Sequence, residues 1–200
     1  MAPVAVQQTV ADRDFRQAQG QISQTSAQQI ITGFDQVPPL NPDEKRWFGI
    51  GQGNLRVTPL QVADTMAAIA RGGLYKKPRL FIEQIEDTND KSVSLGISPQ
   101  TLATVREGMY AVVNEPGGTA YNQFLYTGFK EQGIEVFGKT GSTEGTVVAW
   151  FAGFAQDNTD RSIALAVIVE GGEHGSSDAA PLARSIIQFC IEEGYIGQRQ

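Results

Sequence analysis

The sequence predicts an α/β fold in which helices pack on an antiparallel sheet. Three observations carry this. First, the runs IEVFGKTGST, VAWFAGFAQ and SIALAVIVEGG follow one another as strand-like segments, and the polar turn DNTD at 157–160 joins the last two as a hairpin. Second, two segments open with a hydroxyl residue followed by proline and continue with an apolar stripe of helical period. Third, 200 residues with 40% hydrophobic content suffice for one sizeable core, and length alone favours one domain.

Taken in order, residues 1–36 are glutamine-rich and poor in large apolar side chains. A weak helix from about Ser26 is the most that this composition predicts there. VPPLNPDE at 37–44 reads as a proline-rich connector. The domain division expected is a poorly structured or partly helical segment over 1–40, followed by the folded part over 41–200. Thr58, Pro59 and Gln61 form a helix start with N-cap, N1 proline and N3 glutamine. The helix that follows carries apolar residues all round, including Leu60, Val62, Ala63, Met66 and Ile69, which predicts burial on most sides. Gly72 and Gly73 end it.

PRLFIEQIED at 78–87 reads as a strand entering the turn DTNDK. A second helix spans 98–114, with Ser98 as N-cap, Pro99 at N1 and a stripe of Leu102, Val105, Met109, Val112 and Val113. EPGGTA stops it. SIALAVIVE is almost continuously apolar, which predicts a central strand covered on both faces. A closing helix is expected over 176–193, capped by Ser177 or Asp178.

Composition narrows the chemistry. The net charge is −6, which argues against nucleic acid as a partner, because such binding needs a basic footprint. One cysteine, Cys190, forms no internal disulfide and sits in a core-like apolar run. One cysteine and one histidine leave no zinc constellation, and no metal or other cofactor is expected. The start MAPVAVQQTV has neither the basic nor the long apolar region of a secretory signal, and no stretch reaches the roughly 20 apolar residues of a membrane helix.

Lys139, Thr140 and Gly141 are the candidate catalytic residues. On a strand at a cleft, Lys139 supplies positive charge that favours a deprotonated nucleophile or an anionic substrate. The Thr140 hydroxyl can bond a carboxylate, and Gly141 lets a peptide lie against the strand. The backbone N–H of Ser142 is placed to be half of an oxyanion hole. Strand alternation puts Lys139 and Gly141 on one face and Thr140 on the other, so a substrate must ride the strand's edge or the strand must twist. Ser142 and Thr143 are the candidate substrate-binding residues.

Five segments, in order, resemble the class B penicillin-binding proteins. They are GIGQGNLRVTPLQVADTMAAIARGG at 49–73, VREGMYAVVNEPGGTA at 105–120, FGKTGSTEG at 137–145, AWFAGFAQ with SIALAVIVE, and AAPLARSI at 179–186. The resemblance covers about residues 45 to 195. It implies a transpeptidase/β-lactamase-like fold, present in part. It also implies a peptidoglycan D,D-transpeptidase activity, in which a serine is acylated by a D-Ala-D-Ala stem peptide and passes the acyl group to an amine.

Stem peptides, β-lactams, the upstream half of the domain and other cell wall synthesis proteins are the implied partners. An extracytoplasmic location, anchored by a segment not in this sequence, is implied as well. Lys139, Thr140 and Gly141 match that family's third motif, and Ser142 its oxyanion position. The family's first two motifs are Ser-x-x-Lys and Ser-x-Asn. No lysine here has a serine three places before it, and no serine has an asparagine two places on. The nucleophile is therefore absent from these residues, and the chain alone is expected to be inactive. A non-catalytic module that binds peptide or a partner protein on the same scaffold is the alternative.

Other residues invite a functional reading but are expected to be structural. His174 reads as part of a glycine-rich loop. Gln52 reads as a turn former, Glu144 as a solvated carboxylate, and Trp47, Phe48, Trp150 and Phe154 as core.

Overall fold

The computed structural model describes residues 41–52, 57–79, 92–143 and 147–197. The chain forms two compact units, Met1–Val57 and Thr58–Gln200. The helix expected from Ser26, the core of the strand expected over 78–87 and Glu144 lie outside the described residues.

In the first unit, helix α1 spans Pro42–Gly49. Asn41 caps it in a capping box: its side chain accepts from the Glu44 N–H at 2.9 Å, and Glu44 returns a bond to the Asn41 N–H at 2.9 Å. This helix takes up Pro42, Asp43 and Glu44, the last three residues of the connector expected from the prolines. Pro42 stands in its first turn, where a missing N–H costs nothing. Trp47 and Phe48 are exposed rather than core, since the helix buries none of its residues.

The second unit begins with helix α2, Pro59–Ala70, capped by Thr58 with Gln61 in the box as expected. Only Ala68 is fully buried, but every other residue of the helix except Pro59, Leu60 and Thr65 is half-buried, so the helix is partly covered on most sides. Strands β1, Leu74–Tyr75, and β2, Val93–Ser94, form a short antiparallel ladder. Helix α3, Pro99–Asn114, follows the expected cap at Ser98 and buries Leu102, Met109 and Val113. Val105 is left exposed. The short helix α4 spans Tyr121–Phe124.

Strands β3, Ile134–Ser142, β4, Val148–Asp157, and β5, Ser162–Glu170, form one antiparallel sheet. Its order is β3-β4-β5. Among the described residues β4 pairs with a strand on each side, and β5 pairs with β4 through the hairpin expected at 157–160. Helix α5, Ala180–Glu192, follows a π-helical turn over Gly175–Ala179. Its N-cap is Ala179, with no side-chain cap bond, instead of the expected Ser177 or Asp178. Asp178 instead closes the π-helical turn by accepting from the His174 N–H at 2.9 Å, which holds its carboxyl below the ordinary value.

Helices cover both faces of the sheet. On one face Val136, Phe151, Ala155, Ala180, Ala183 and Ile187 belong to the main core. On the other, Phe137 and Phe154 stack at 4.6 Å between ring centroids and pack with Met109, Met66 and Ile69. The Arg106 guanidinium lies over both rings, 4.8 and 5.0 Å from their centroids. It also donates to the Ala70 carbonyl at 3.2 Å, at the end of α2, and to Gln156 at 2.9 Å. One side chain of α3 thus ties α2 to the sheet and satisfies a helix-end carbonyl. Phe154 is core as expected, whereas Trp150 and Cys190 are only partly buried.

Candidate functional site

Strand β3 owes its form to alternation. Ile134, Val136 and Thr140 are buried on the α5 side, while Glu135 and Lys139 are exposed. Lys139 and Gly141 thus share one face, and Thr140 and Ser142 share the other. Register decides what the strand shows at its outer edge. Ser142 lies opposite Ala149 and Gly141 opposite Trp150. One residue beyond, the Thr143 N–H donates to the Val148 carbonyl at 3.1 Å, so that position is a hydrogen-bonded pair. Antiparallel pairs alternate. Gly141 and Lys139 therefore turn their backbone groups toward β4, while Ser142 and Thr140 turn theirs outward. Among the described residues β3 pairs with β4 alone.

Lys139 reaches this outer edge from the opposite face. Its side chain bends round the strand, and Nζ donates to the Thr140 carbonyl. A cation and the outward N–H of Ser142 are thereby brought to one strand edge. Gly141 is partly exposed, and a Cβ there would make only ordinary contact, 3.4 Å from the Cβ of Trp150. Internal packing therefore does not demand the lack of a side chain at Gly141.

Both hydroxyls of this strand end are held from the α5 side. Thr140, 8% exposed, shares a hydrogen bond of 2.7 Å between its Oγ1 and that of Thr119. Ser142 Oγ accepts from the Gly175 N–H at 3.3 Å. Gly175 must be glycine, because a Cβ would lie 2.4 Å from the Trp150 carbonyl oxygen and 2.6 Å from that of Gly141. Thr143 differs from the others. Its N–H is spent in the ladder, and its hydroxyl lies 3.4 Å from the Val148 carbonyl.

The structure thus gathers Lys139, Thr140, Gly141 and Ser142 at one edge, with Thr143 turned into the ladder's end. Asn114 anchors the strand from α3: its side-chain amide donates to the carbonyls of Val136 at 2.8 Å and Tyr110 at 2.9 Å. Asn114, Thr119 and Gly175 were not picked out from the sequence. Thr119 alone had a signal there, the Gly-Gly-Thr-Ala turn just after α3. His174 is exposed, and its backbone N–H serves the π-helical turn. Gln52 closes the end of α1 through its N–H to the Trp47 carbonyl.

Residues 8–188 match the model of the penicillin binding protein transpeptidase domain. The chain belongs to this family. The match begins well before residue 45, where the resemblance read from the sequence starts, and takes in most of the glutamine-rich segment. The chain is 32% identical over 167 residues to the peptidoglycan D,D-transpeptidase PbpA of Mycolicibacterium smegmatis, covering 72% of this chain and 31% of that protein. It is 30% identical over 165 residues to the peptidoglycan D,D-transpeptidase MrdA of Haemophilus influenzae, covering 72% of this chain and 25% of that one.

Among solved structures, the complex of penicillin-binding protein PBP2 and MreC from Helicobacter pylori aligns with a TM-score of 0.58 and 25% identity. That alignment covers 82% of this chain and 29% of the matched one. The fold is transpeptidase/β-lactamase-like, and the chain spans about a quarter to a third of the length of the relatives it matches.

Proposed function

We propose that the chain carries the substrate-anchoring side of a penicillin-binding D,D-transpeptidase site that cross-links peptidoglycan. The observation that carries this reading is the convergence of Lys139 Nζ and the outward Ser142 N–H on the edge of β3 that no described strand pairs. A D-Ala-D-Ala stem peptide adds to that edge as an extra strand, with Gly141 giving it room. The Ser142 N–H donates to the carbonyl oxygen on which negative charge develops during acyl transfer. Lys139 favours the anionic form of the attacking group and draws the substrate carboxylate. Thr140 and Ser142 supply hydroxyls to the carboxylate end, and Thr143 flanks it. A β-lactam enters the same edge as a mimic of the peptide.

The attacking serine comes from a Ser-x-x-Lys segment outside these residues, in the upstream half of the domain. The work is extracytoplasmic, anchored by a segment other than those described, among which no helix is long and apolar enough to cross a membrane. Other cell wall synthesis proteins are the expected partners, by analogy with the PBP2 of Helicobacter pylori, whose structure was solved with MreC.

Labelling with a fluorescent penicillin tests this. The chain alone takes up no covalent label. The chain joined to the coding sequence that precedes it takes up one label per molecule, on a Ser-x-x-Lys serine, and Lys139→Ala slows that labelling by about a hundredfold or more, as loss of a site's charged group does. A penicilloyl adduct on the chain alone would locate a different nucleophile and overturn the assignment. A preceding frame that stops before any Ser-x-x-Lys favours the non-catalytic binding module.

A further inference from the structure

We propose that Thr119 is a positioning residue for the β3 edge, acting through the hydroxyl of Thr140. This rests on the transpeptidase reading of that edge. The observation is a hydroxyl pair. Thr140 is 8% exposed, and its hydroxyl pairs with that of Thr119 at 2.7 Å. An exposed residue from the α3–α4 turn thus fixes the side chain of a buried residue in the site strand.

The turn is built to hold Thr119 still. Before it, Gly118 lies so close to the end of α3 that a Cβ would sit 2.3 Å from the Ala111 carbonyl oxygen. After it, Ala120 is fully buried and its N–H donates to the Val112 carbonyl at 3.0 Å. Thr119 is therefore presented at one place, facing β3.

The consequence is chemical. A lone threonine hydroxyl rotates, and its proton points wherever solvent allows. Paired with Thr119 it takes one rotamer, and the pair retains one proton not used between them. Two adjacent outward groups, the Thr140 carbonyl and the Ser142 N–H, depend on the position of that residue. Ser142 is fixed separately by Gly175. Thr119 and Gly175 thus act as two independent stops for the two hydroxyls of the strand end. A purely packing role for Thr119 would be met equally well by valine, which has the same shape.

The test uses the chain with Thr119→Val and Thr119→Ser. The probe is N-acetyl-D-Ala-D-Ala, titrated while backbone amide signals are followed by NMR, with thermal unfolding as a control. Thr119→Val is expected to weaken binding about tenfold, the worth of one oriented hydrogen bond, and Thr119→Ser to restore it. Three-bond couplings at Thr140 are expected to report one χ1 rotamer in the parent and in the serine variant, and averaging in the valine variant. Valine binding and couplings equal to the parent's would overturn the proposal. Should the parent itself fail to bind the peptide, the reading of the edge falls. The couplings then judge the pairing alone: averaging in the valine variant supports it, and an unchanged rotamer ends it.

Discussion

Asp157 shows how much one side chain can organise without any part in a site. It is a buried carboxylate at the β4–β5 turn, 5% exposed. Burial alone would raise its pKa. Hydrogen bonds from the Thr159 hydroxyl and from the N–H groups of Gly197, Thr159 and Arg161 outweigh that and hold the carboxyl well below its ordinary 3.8. The Arg161 guanidinium adds an ion pair at 3.0 Å and also donates to the Gly197 carbonyl. The hairpin is thereby tied to the residues after α5. Because the folded pKa is depressed, this stabilisation is fully present above the unfolded value of 3.8 and is lost as pH falls below it toward the folded value. Asp157→Asn keeps the shape but cannot accept as many bonds, and is expected to cost about 2–4 kcal/mol at neutral pH. Urea unfolding at pH 7 and pH 3 checks this: the gap between parent and variant should shrink at the lower pH, and an unchanged gap would count against the assignment.

At the scale of elements, helix starts were the most legible feature, because a cap is a local event. Thr58-Pro59 and Ser98-Pro99 begin α2 and α3 as the sequence predicts. The same grammar, Asn41-Pro42 with Glu44 at N3, begins α1 but was hidden by the prolines around it. Strand existence was legible too, and so was the hairpin that pairs β4 with β5. Which edge of a strand its neighbour occupies depends on pairing, and no single segment encodes that. The edge chemistry had the same limit. Lys139, Thr140, Gly141 and Ser142 could be named from the triplet, yet Thr119 and Gly175 meet them only through folding, across 21 and 33 residues of chain. Packing within the sheet also explains glycines that a motif reading leaves aside. Gly138 lies opposite Gly153, and a Cβ on Gly138 would sit 2.3 Å from the ring of Phe151, a side chain with no exposure. Gly138→Ala is therefore expected to destabilise the sheet by about 1–3 kcal/mol through forced repacking. Chemical denaturation measures this; a variant as stable as the parent would mean that the ring of Phe151 moves freely.

At the scale of the whole molecule, the second unit leaves apolar surface uncovered. Helix α5 buries Ala180, Ala183, Ile187 and Ile191 against the sheet. On another side it carries Leu182, Ile186 and Phe189, exposed by 48%, 43% and 55%. Their spacing of four and three residues aligns them in one stripe. Tyr126, 93% exposed, joins Phe189 in lining a neighbouring groove of about 430 Å³. A helix with apolar residues on two sides has one side in excess of what its own core uses. In water such a stripe favours association over dispersal. The chain is accordingly expected to self-associate as concentration rises and to bind an apolar dye. The double variant Leu182→Lys and Phe189→Glu should reduce both while leaving the unfolding midpoint within a degree or two, since neither side chain is buried and exposed substitutions change stability little. Light scattering across a concentration series decides it. A parent chain that stays monomeric and binds no dye would mean that the stripe is covered within the molecule. A double variant that melts markedly earlier would place those two side chains in the core rather than on its surface.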